Sequence, residues 1–389
     1  MIYCDFNASA PLCSSIVESG ALLDFYANPS SQNSLGKKTF QKILEVESYL
    51  LETFNLSNLF DCIFHSGSTE GINLIAQGVL KSQLDKKVPV YFLYSNFDHA
   101  CVRSQVPYLE SLGVICKELI FPLEDYNFNG IKSFIKKIIP KEAFVFINLN
   151  WVHNETGFIF DVSKIEDVKD LQVYIHLDAT QSIGKIDNFL KLPERVDSFT
   201  YSGHKFGSLK GIGWSFLKRN SLHDGLTPLF FGGGQQKKVR PGTYNTHGII
   251  SLELALRDVV ANFDTSKMRA NISLLRKFHQ ELVTSDDLVS TLNYNKPLEF
   301  NLNTVLFLFK KLKTQDILPL LDQNGILVGT GAACSSGTFQ KNSFLESLCD
   351  DDLHQRSIRV SLGLNETREN VNEVLKVLKK TIEHLKTFS

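Results

Sequence analysis

Paired cysteines, long apolar runs and an imbalance of charge are all missing from this chain. Its seven cysteines (4, 13, 62, 101, 116, 334 and 349) are odd in number and nowhere form Cys-x-x-Cys. That argues against a disulfide framework or a zinc knot and fits a reducing cytoplasm. Lys and Arg total 41 against 42 for Asp and Glu, a net charge of -1, so no general electrostatic footprint for nucleic acid exists. Apolar runs such as 143–149 are interrupted by Asn148, far short of a membrane span, and no membrane association is expected. The opening Met1-Ile-Tyr-Cys-Asp-Phe-Asn-Ala lacks a basic region leading into an apolar stretch, so no secretory signal is expected. No internal repeat or low-complexity segment occurs. What remains is an ordinary globular chain, long enough to bury a large core over about two to three domains.

The apolar pattern alternates between strand and helix. Residues 1–11 read as extended, with helices expected over 14–25 and 35–54 around a polar loop at 27–34. A strand at 62–65, a turn at 66–70 and a helix at 71–84 follow. Then come strand 88–94, helix 100–112, strand 114–121, helix 131–139 and strand 143–149. Such a series predicts right-handed crossovers and a mostly parallel sheet covered by helices on both faces. A Gly-rich loop spans 231–243, and a helical stretch at 249–263 leads into a second region. That region mixes strands (303–309, 326–328, 358–361) with helices (267–282, 317–323, 370–385).

In a sheet of this kind ligands sit beyond the strand ends. Four polar clusters fall there: 96–99, 150–155, 178–181 and 202–205. Val173 to Leu177 runs into Asp178, and a second strand-like run ends in Ser202-Gly-His-Lys205. Singly, an aspartate after a strand is usually a cap and a lysine there is usually solvated. As a pair they are the two groups a pyridoxal-phosphate enzyme must supply, an acid for the pyridine nitrogen and an amine for the aldehyde. Ser66-Gly-Ser-Thr-Glu70 at a helix start adds a phosphate-binding geometry, although such residues more often only cap the helix.

Further short motifs turn this into a family resemblance. Asp178-x-x-Gln181, Ser202-Gly-His204-Lys205, Gly67-Ser-Thr69-Glu, Phe97-Asp-His99, Arg240-Pro-Gly-Thr243, Gly331-Ala-Ala-Cys334-Ser-Ser and Ser357-Ile-Arg359-Val-Ser-Leu-Gly363 occur together. Over residues 3–385 the chain resembles a cysteine desulfurase, from the class V aminotransferase branch of fold type I pyridoxal-phosphate enzymes. The resemblance implies an α/β large domain at 13–258 with a seven-stranded, mostly parallel sheet. It also implies a smaller α+β domain formed by 1–12 and 259–389, and a homodimer.

By the same resemblance Lys205 holds the cofactor covalently and then moves the substrate's α-proton, while Asp178 pairs with the ring nitrogen. Gln181 and Asn154 meet the phenolic oxygen side, and His99 stacks on the ring and passes protons. Ser68, Thr69, Ser202 and His204 hold the phosphate, with Thr243 reaching it from the neighbouring subunit. Arg359, with Asn154 near it, clamps the substrate carboxylate. Cys334, in a glycine-rich loop, takes the sulfur of L-cysteine as a persulfide for an acceptor protein, in iron–sulfur cluster assembly or in thiolation. No metal is implied. The alternatives are a selenocysteine lyase, an aminotransferase that needs no such thiol, and a partner-binding homologue without catalysis. Two departures stand out: Gly207-Ser-Leu209 where relatives have Tyr-Gly-Pro, and Leu364 where an arginine is common.

Overall fold

The computed structural model describes the chain except residues 19, 21, 122–126, 167–170, 220–224, 290, 291, 293, 295–299, 331–343, 346–351, 388 and 389. Its strands are β1 (Ile2–Cys4), β2 (Phe60–His65), β3 (Val90–Ser95), β4 (Ile115–Leu119), β5 (Phe144–Asn150) and β6 (Gln172–Asp178). They continue with β7 (Ser198–Ser202), β8 (Gly213–Lys218), β9 (Thr304–Leu308), β10 (Ile326–Val328) and β11 (Ser357–Ser361). Seven form one sheet in the order β2-β8-β7-β6-β5-β3-β4. Only β8 runs against its neighbours β2 and β7, so the sheet is mixed but mostly parallel, as the alternating pattern predicted.

Both faces of this sheet are covered, which is why its strands read as nearly unbroken apolar runs: every residue of β3 and β5 is buried. Side chains alternate between the faces. Phe92 and Phe146 enter a core beneath the helix Ser68–Leu84, while Leu93 and Ile147 enter the larger core on the other side. The register then aligns the strand ends. Asn150 lies opposite Asp178, and Asp178 opposite Thr200, so the loops after β5, β6 and β7 open at one edge.

The second region is built on small sheets. β1 pairs in parallel with β10, Ile2 opposite Ile326, and β9 pairs antiparallel with β11. Bridges between Asp5 and Ser361 and between Gly329 and Arg359 link the two pairs. The helices Thr265–Thr284, Thr314–Gln323 and Arg368–Lys386 pack around them. No helix among the described residues is long and apolar enough to cross a membrane.

Three helices depart from the sequence reading for local reasons. The helix expected over 14–25 is Ser14–Glu18, with Gly20 just beyond it at φ 59°, a left-handed conformation that ends helices. The helix expected over 100–112 is two pieces, Ala100–Arg103 and Val106–Ser111. Pro107 lacks an N–H and its ring clashes with the carbonyl four residues back, so a continuous helix is broken there. The helix expected from residue 71 starts at Ser68, which turns the anticipated 66–70 turn partly into a helix N-terminus.

Aromatic packing secures the β7–β8 pair. Trp214 is fully buried and stacks on Tyr201 at 4.6 Å and 12°, with Phe54, Phe206 and Phe216 around it. Trp214→Ala leaves a cavity that so many fixed neighbours cannot close. It is expected to cost about 3–5 kcal/mol in unfolding free energy, read from denaturant melts.

Candidate active site

A cup forms where β2 meets the helix Ser68–Leu84. Gly67, at φ 153°, precedes that helix and offers no side chain to cap it, so the first-turn N–H groups are left facing outward. A cleft of about 400 Å³ there is lined by Ser9, Ser66 to Glu70, Ser202, His204, Lys210 and Gly211 along with Ala8. It gathers Ser68, Thr69, Ser202 and His204, which the sequence reading had grouped. Uncapped N–H groups, hydroxyls and a lysine at a helix N-terminus are the donor set that suits a phosphate. Burial holds His204 down at about 4, with the Lys205, Lys185 and Lys210 charges acting in the same direction, so its ring is neutral. Thr243 is exposed and does not line this cup of its own chain. Its loop is nevertheless tied to the cup's rim, because Arg240 Nε donates to Glu70 Oε1 at 2.7 Å and Glu70 Oε2 accepts from Ser66 N at 2.8 Å.

Asp178 ends β6, buried. Its Oδ1 accepts from Thr180 N at 3.0 Å and from the Thr180 hydroxyl, while Oδ2 has no hydrogen-bond partner among the described residues. Burial raises its pKa, and Thr180, His99 and Lys205 oppose that rise. A buried carboxylate with one oxygen open calls for a charged N–H partner, and a pyridinium supplies one. His99 caps the helix Ala100–Arg103, its Nδ1 accepting from Cys101 N at 3.2 Å. Its ring is exposed to solvent, yet desolvation by the surrounding walls lowers its pKa, and it feels the charges of Asp178 and Lys205. The loop carrying it is fixed from below. Asp98 accepts from Ser95 N and from Asn148 Nδ2, both at 2.7 Å, and Asn150 Nδ2 donates to Phe97 O at 2.8 Å.

Lys205 closes the short 3-10 turn Gly203–Lys205 that follows β7. Its Nζ donates to the carbonyls of Asn7 and Ala8 at 2.8 and 2.9 Å. Burial brings its pKa down to about 8, the Arg359 charge adding to the fall and Asp178, Asp5 and Glu155 resisting it. The unfamiliar Gly207-Ser-Leu209 keeps this turn in place by its own route: Ser208 Oγ and Ser251 Oγ share a hydrogen bond of 2.7 Å, and Leu209 N donates to Ser251 Oγ. Leu364 packs towards Gly184, where a β-carbon would sit 3.3 Å from Leu364 Cδ1.

Arg359 arrives from β11, buried, with NH2 on Asp5 Oδ1 at 2.8 Å and NH1 on Glu155 Oε1 at 3.1 Å and Asn154 O at 3.2 Å. Its Nε is buried without a hydrogen-bond partner among the described residues. Asn154 Nδ2 donates to Glu155 Oε1 at 2.6 Å, so Asn154 offers the neighbouring region its backbone and its amide together. Gln181 donates from Nε2 to Asn7 O at 2.9 Å and accepts from Lys185 Nζ through Oε1.

Several of these contacts lie outside the sequence reading. Lys185 and Lys210 carry no sequence signal as site residues, and neither do Asp5 and Asn7, because nothing in a short extended N-terminal segment announces that it folds over a site built 200 residues later. The polar run Asp5-Phe-Asn7 directly after a three-residue apolar strand was the available signal. Cys334 lies outside the described residues.

A lysine with pKa about 8 is an amine for a useful fraction of the time at neutral pH, where one at the usual 10.5 is almost wholly ammonium. Uptake of pyridoxal phosphate by the cofactor-free protein, followed by absorbance, is therefore expected to accelerate with pH through a midpoint near 8. Lys205→Ala is expected to abolish the covalent absorbance.

The family model described as Aminotransferase class-V matches residues 2–374. The cysteine desulfurase IscS of Dictyoglomus turgidum is 30% identical over 394 residues, an alignment spanning 100% of this chain and 96% of that one. Among solved structures, a NifS-like protein aligns with a TM-score of 0.82 at 23% identity, covering 98% of this chain and 99% of its own. A NifS-like protein from Rickettsia africae aligns at 0.80 and 22% identity, covering 98% and 99%. With a donor set that fits the cofactor and a family model running along nearly all of it, this chain belongs to the class-V aminotransferases, fold type I, and is a pyridoxal-phosphate-dependent enzyme.

Proposed function

We propose that this enzyme is a cysteine desulfurase, converting L-cysteine to L-alanine and loading the sulfur onto Cys334 as a persulfide. The observation that carries the reading is the geometry of the strand ends: Lys205 held by the Asn7 and Ala8 carbonyls, the buried Asp178 with no hydrogen-bond partner for Oδ2 among the described residues, and the buried Arg359 held by Asp5 of the same N-terminal segment. Burial and the Arg359 charge also lower Lys205 to about 8. The full-length likeness to a protein named cysteine desulfurase supports it.

In this reading Ser68, Thr69, Ser202 and His204 hold the cofactor phosphate, Asp178 the ring nitrogen and Gln181 the phenolic oxygen, and His99 lies on the ring. Bound there, pyridoxal phosphate supplies an electron sink for the pair released at the substrate's α-carbon. Arg359 takes the substrate carboxylate, and Asn154 lies beside it. Lys205, as a free amine, removes the α-proton, and its pKa near 8 suits a base that must give the proton back. The Cys334 thiolate bonds to the substrate sulfur. The carbon–sulfur bond breaks with its electron pair left on carbon, carbon takes a proton to become alanine, and Cys334 keeps the outer sulfur. His99, uncharged and open to solvent, is the group suited to pass that proton.

The exposed Thr243, on a loop tethered by Arg240 and Glu70, serves the cup of a second copy, which makes the working enzyme a homodimer. A reducing cytoplasm, an acceptor in iron–sulfur cluster assembly or thiolation, and the division into 13–258 against 1–12 with 259–389 complete the proposal.

Cys334→Ser is expected to keep the cofactor's absorbance and lose sulfide release from L-cysteine by at least about a hundredfold, on the scale of losing a nucleophile. Undiminished release by that variant refutes the desulfurase reading. Arg359→Lys is expected to raise KM for cysteine on the order of tenfold, since an ammonium cannot reproduce the planar fork.

A further inference from the structure

Lys185 has no part in the reaction just described, yet it is a buried basic side chain directly against the site. It stands four residues after Gln181, at the end of a tight turn in which Ser182 N bonds Ala179 O at 3.0 Å and Lys185 N bonds Ser182 O at 3.1 Å. Gly184, at φ 68°, sends the chain inward there, and a β-carbon at that position would press on Val259 at 3.1 Å. Leu302 N then ties Lys185 O to the second region at 2.7 Å. So fixed, the side chain reaches one hydrogen-bond partner among the described residues, Gln181 Oε1. Lys185 and Lys205 line the same cleft, of about 420 Å³.

Lys185 and the Asn7 carbonyl together set the orientation of the Gln181 amide. The Asn7 carbonyl accepts from Lys205 Nζ and can only accept, so Gln181 must turn Nε2 toward it. Oε1 then lies at Lys185, and one N–H of Nε2 is left without a partner among the described residues. Take Lys185 away and a buried carbonyl oxygen loses its only donor, which favours rotation of the amide toward other partners.

We propose that Lys185 is a positioning residue: by occupying Gln181 Oε1 it commits the Gln181 amide to presenting an N–H, and not its oxygen, to the bound cofactor. This rests on the reading in which Gln181 meets the cofactor's phenolic oxygen. Burial together with the Lys205 and Arg359 charges pushes the Lys185 amine well below the usual lysine range, with Asp5 opposing.

The test is a pH titration of the visible absorption of the bound cofactor in the intact holoenzyme, for wild type, Lys185→Met, Gln181→Ala and the double variant. A donor on the phenolic oxygen favours the deprotonated form of the chromophore, so losing it raises the midpoint. Lys185→Met is expected to raise it by about one unit, a tenfold gain in proton affinity. Gln181→Ala is expected to raise it similarly, and the double variant no further. Three results overturn the proposal: a midpoint unchanged in Lys185→Met, whatever happens to its melting temperature; an equal further rise when Lys185→Met is added to Gln181→Ala, which marks a direct charge effect; or an amide unaltered in the variant's crystal structure. If Lys185→Met does not fold, Lys185→Gln takes its place in the same cycle under the same criteria. A wild-type midpoint that Gln181→Ala leaves unmoved refutes the placement of Gln181 at the cofactor itself, a separate failure visible without any change at Lys185.

Discussion

Burial and the Arg359 charge lower the proton affinity of both Lys185 and Lys205, while Glu155 and Asp5 hold Arg359 above its usual range, and the site depends on how these charges are answered. Bringing like charges together out of water is unfavourable unless each finds acceptors. The acceptors come largely from one short segment. Asp5 takes Arg359, the Asn7 carbonyl takes Lys205 and Gln181, and the Ala8 carbonyl takes Lys205 again. Glu155 and the Asn154 carbonyl complete the shell around Arg359. Burial, with the Arg359 charge adding to it, leaves Lys205 at about 8.

That N-terminal segment is held with corresponding firmness. β1 runs beside β10, Asn7 N donates to Ser361 Oγ at 3.0 Å, and Asn7 Nδ2 donates to Thr304 Oγ1 and Asn154 O, both at 2.9 Å. Asn303 Nδ2 reaches Asn7 Oδ1 at 3.2 Å. One buried asparagine thus uses side chain and backbone to join the first residues, the loop after β5, the C-terminal strands and Lys205. An apolar residue there would leave several of those buried groups without partners at once.

Much of the architecture was readable beforehand because burial leaves a periodic trace. β3, β5 and β6 are apolar runs ending in polar residues, and the site opens at those polar ends. The expected helix at 100–112 is two pieces because apolar periodicity continues across Pro107 while the backbone hydrogen bonding cannot. The phosphate-binding geometry of Ser68 and Thr69 is legible in the sequence, and the structure moves the helix start from residue 71 to Ser68, so that both hydroxyls lie in the first turn itself. Asp5, Asn7 and Lys185 were passed over because each acts through a partner far away in sequence or through an amide whose orientation is invisible in a string of letters.

By itself, then, the order of residues determined the alternation of strand and helix, the polar ends of the strands, and the presence of Asp178 and Lys205 at two of those ends, since periodicity and chemical type are local properties. Tertiary structure decided which of those groups share a cleft, that Oδ2 of Asp178 stays open, that Lys205 falls to about 8, and that residues 5–8 supply the acceptors. Those outcomes depend on distance, burial and orientation between segments as far apart as Asp5 and Arg359, 354 residues, and such quantities exist only once the chain has closed on itself.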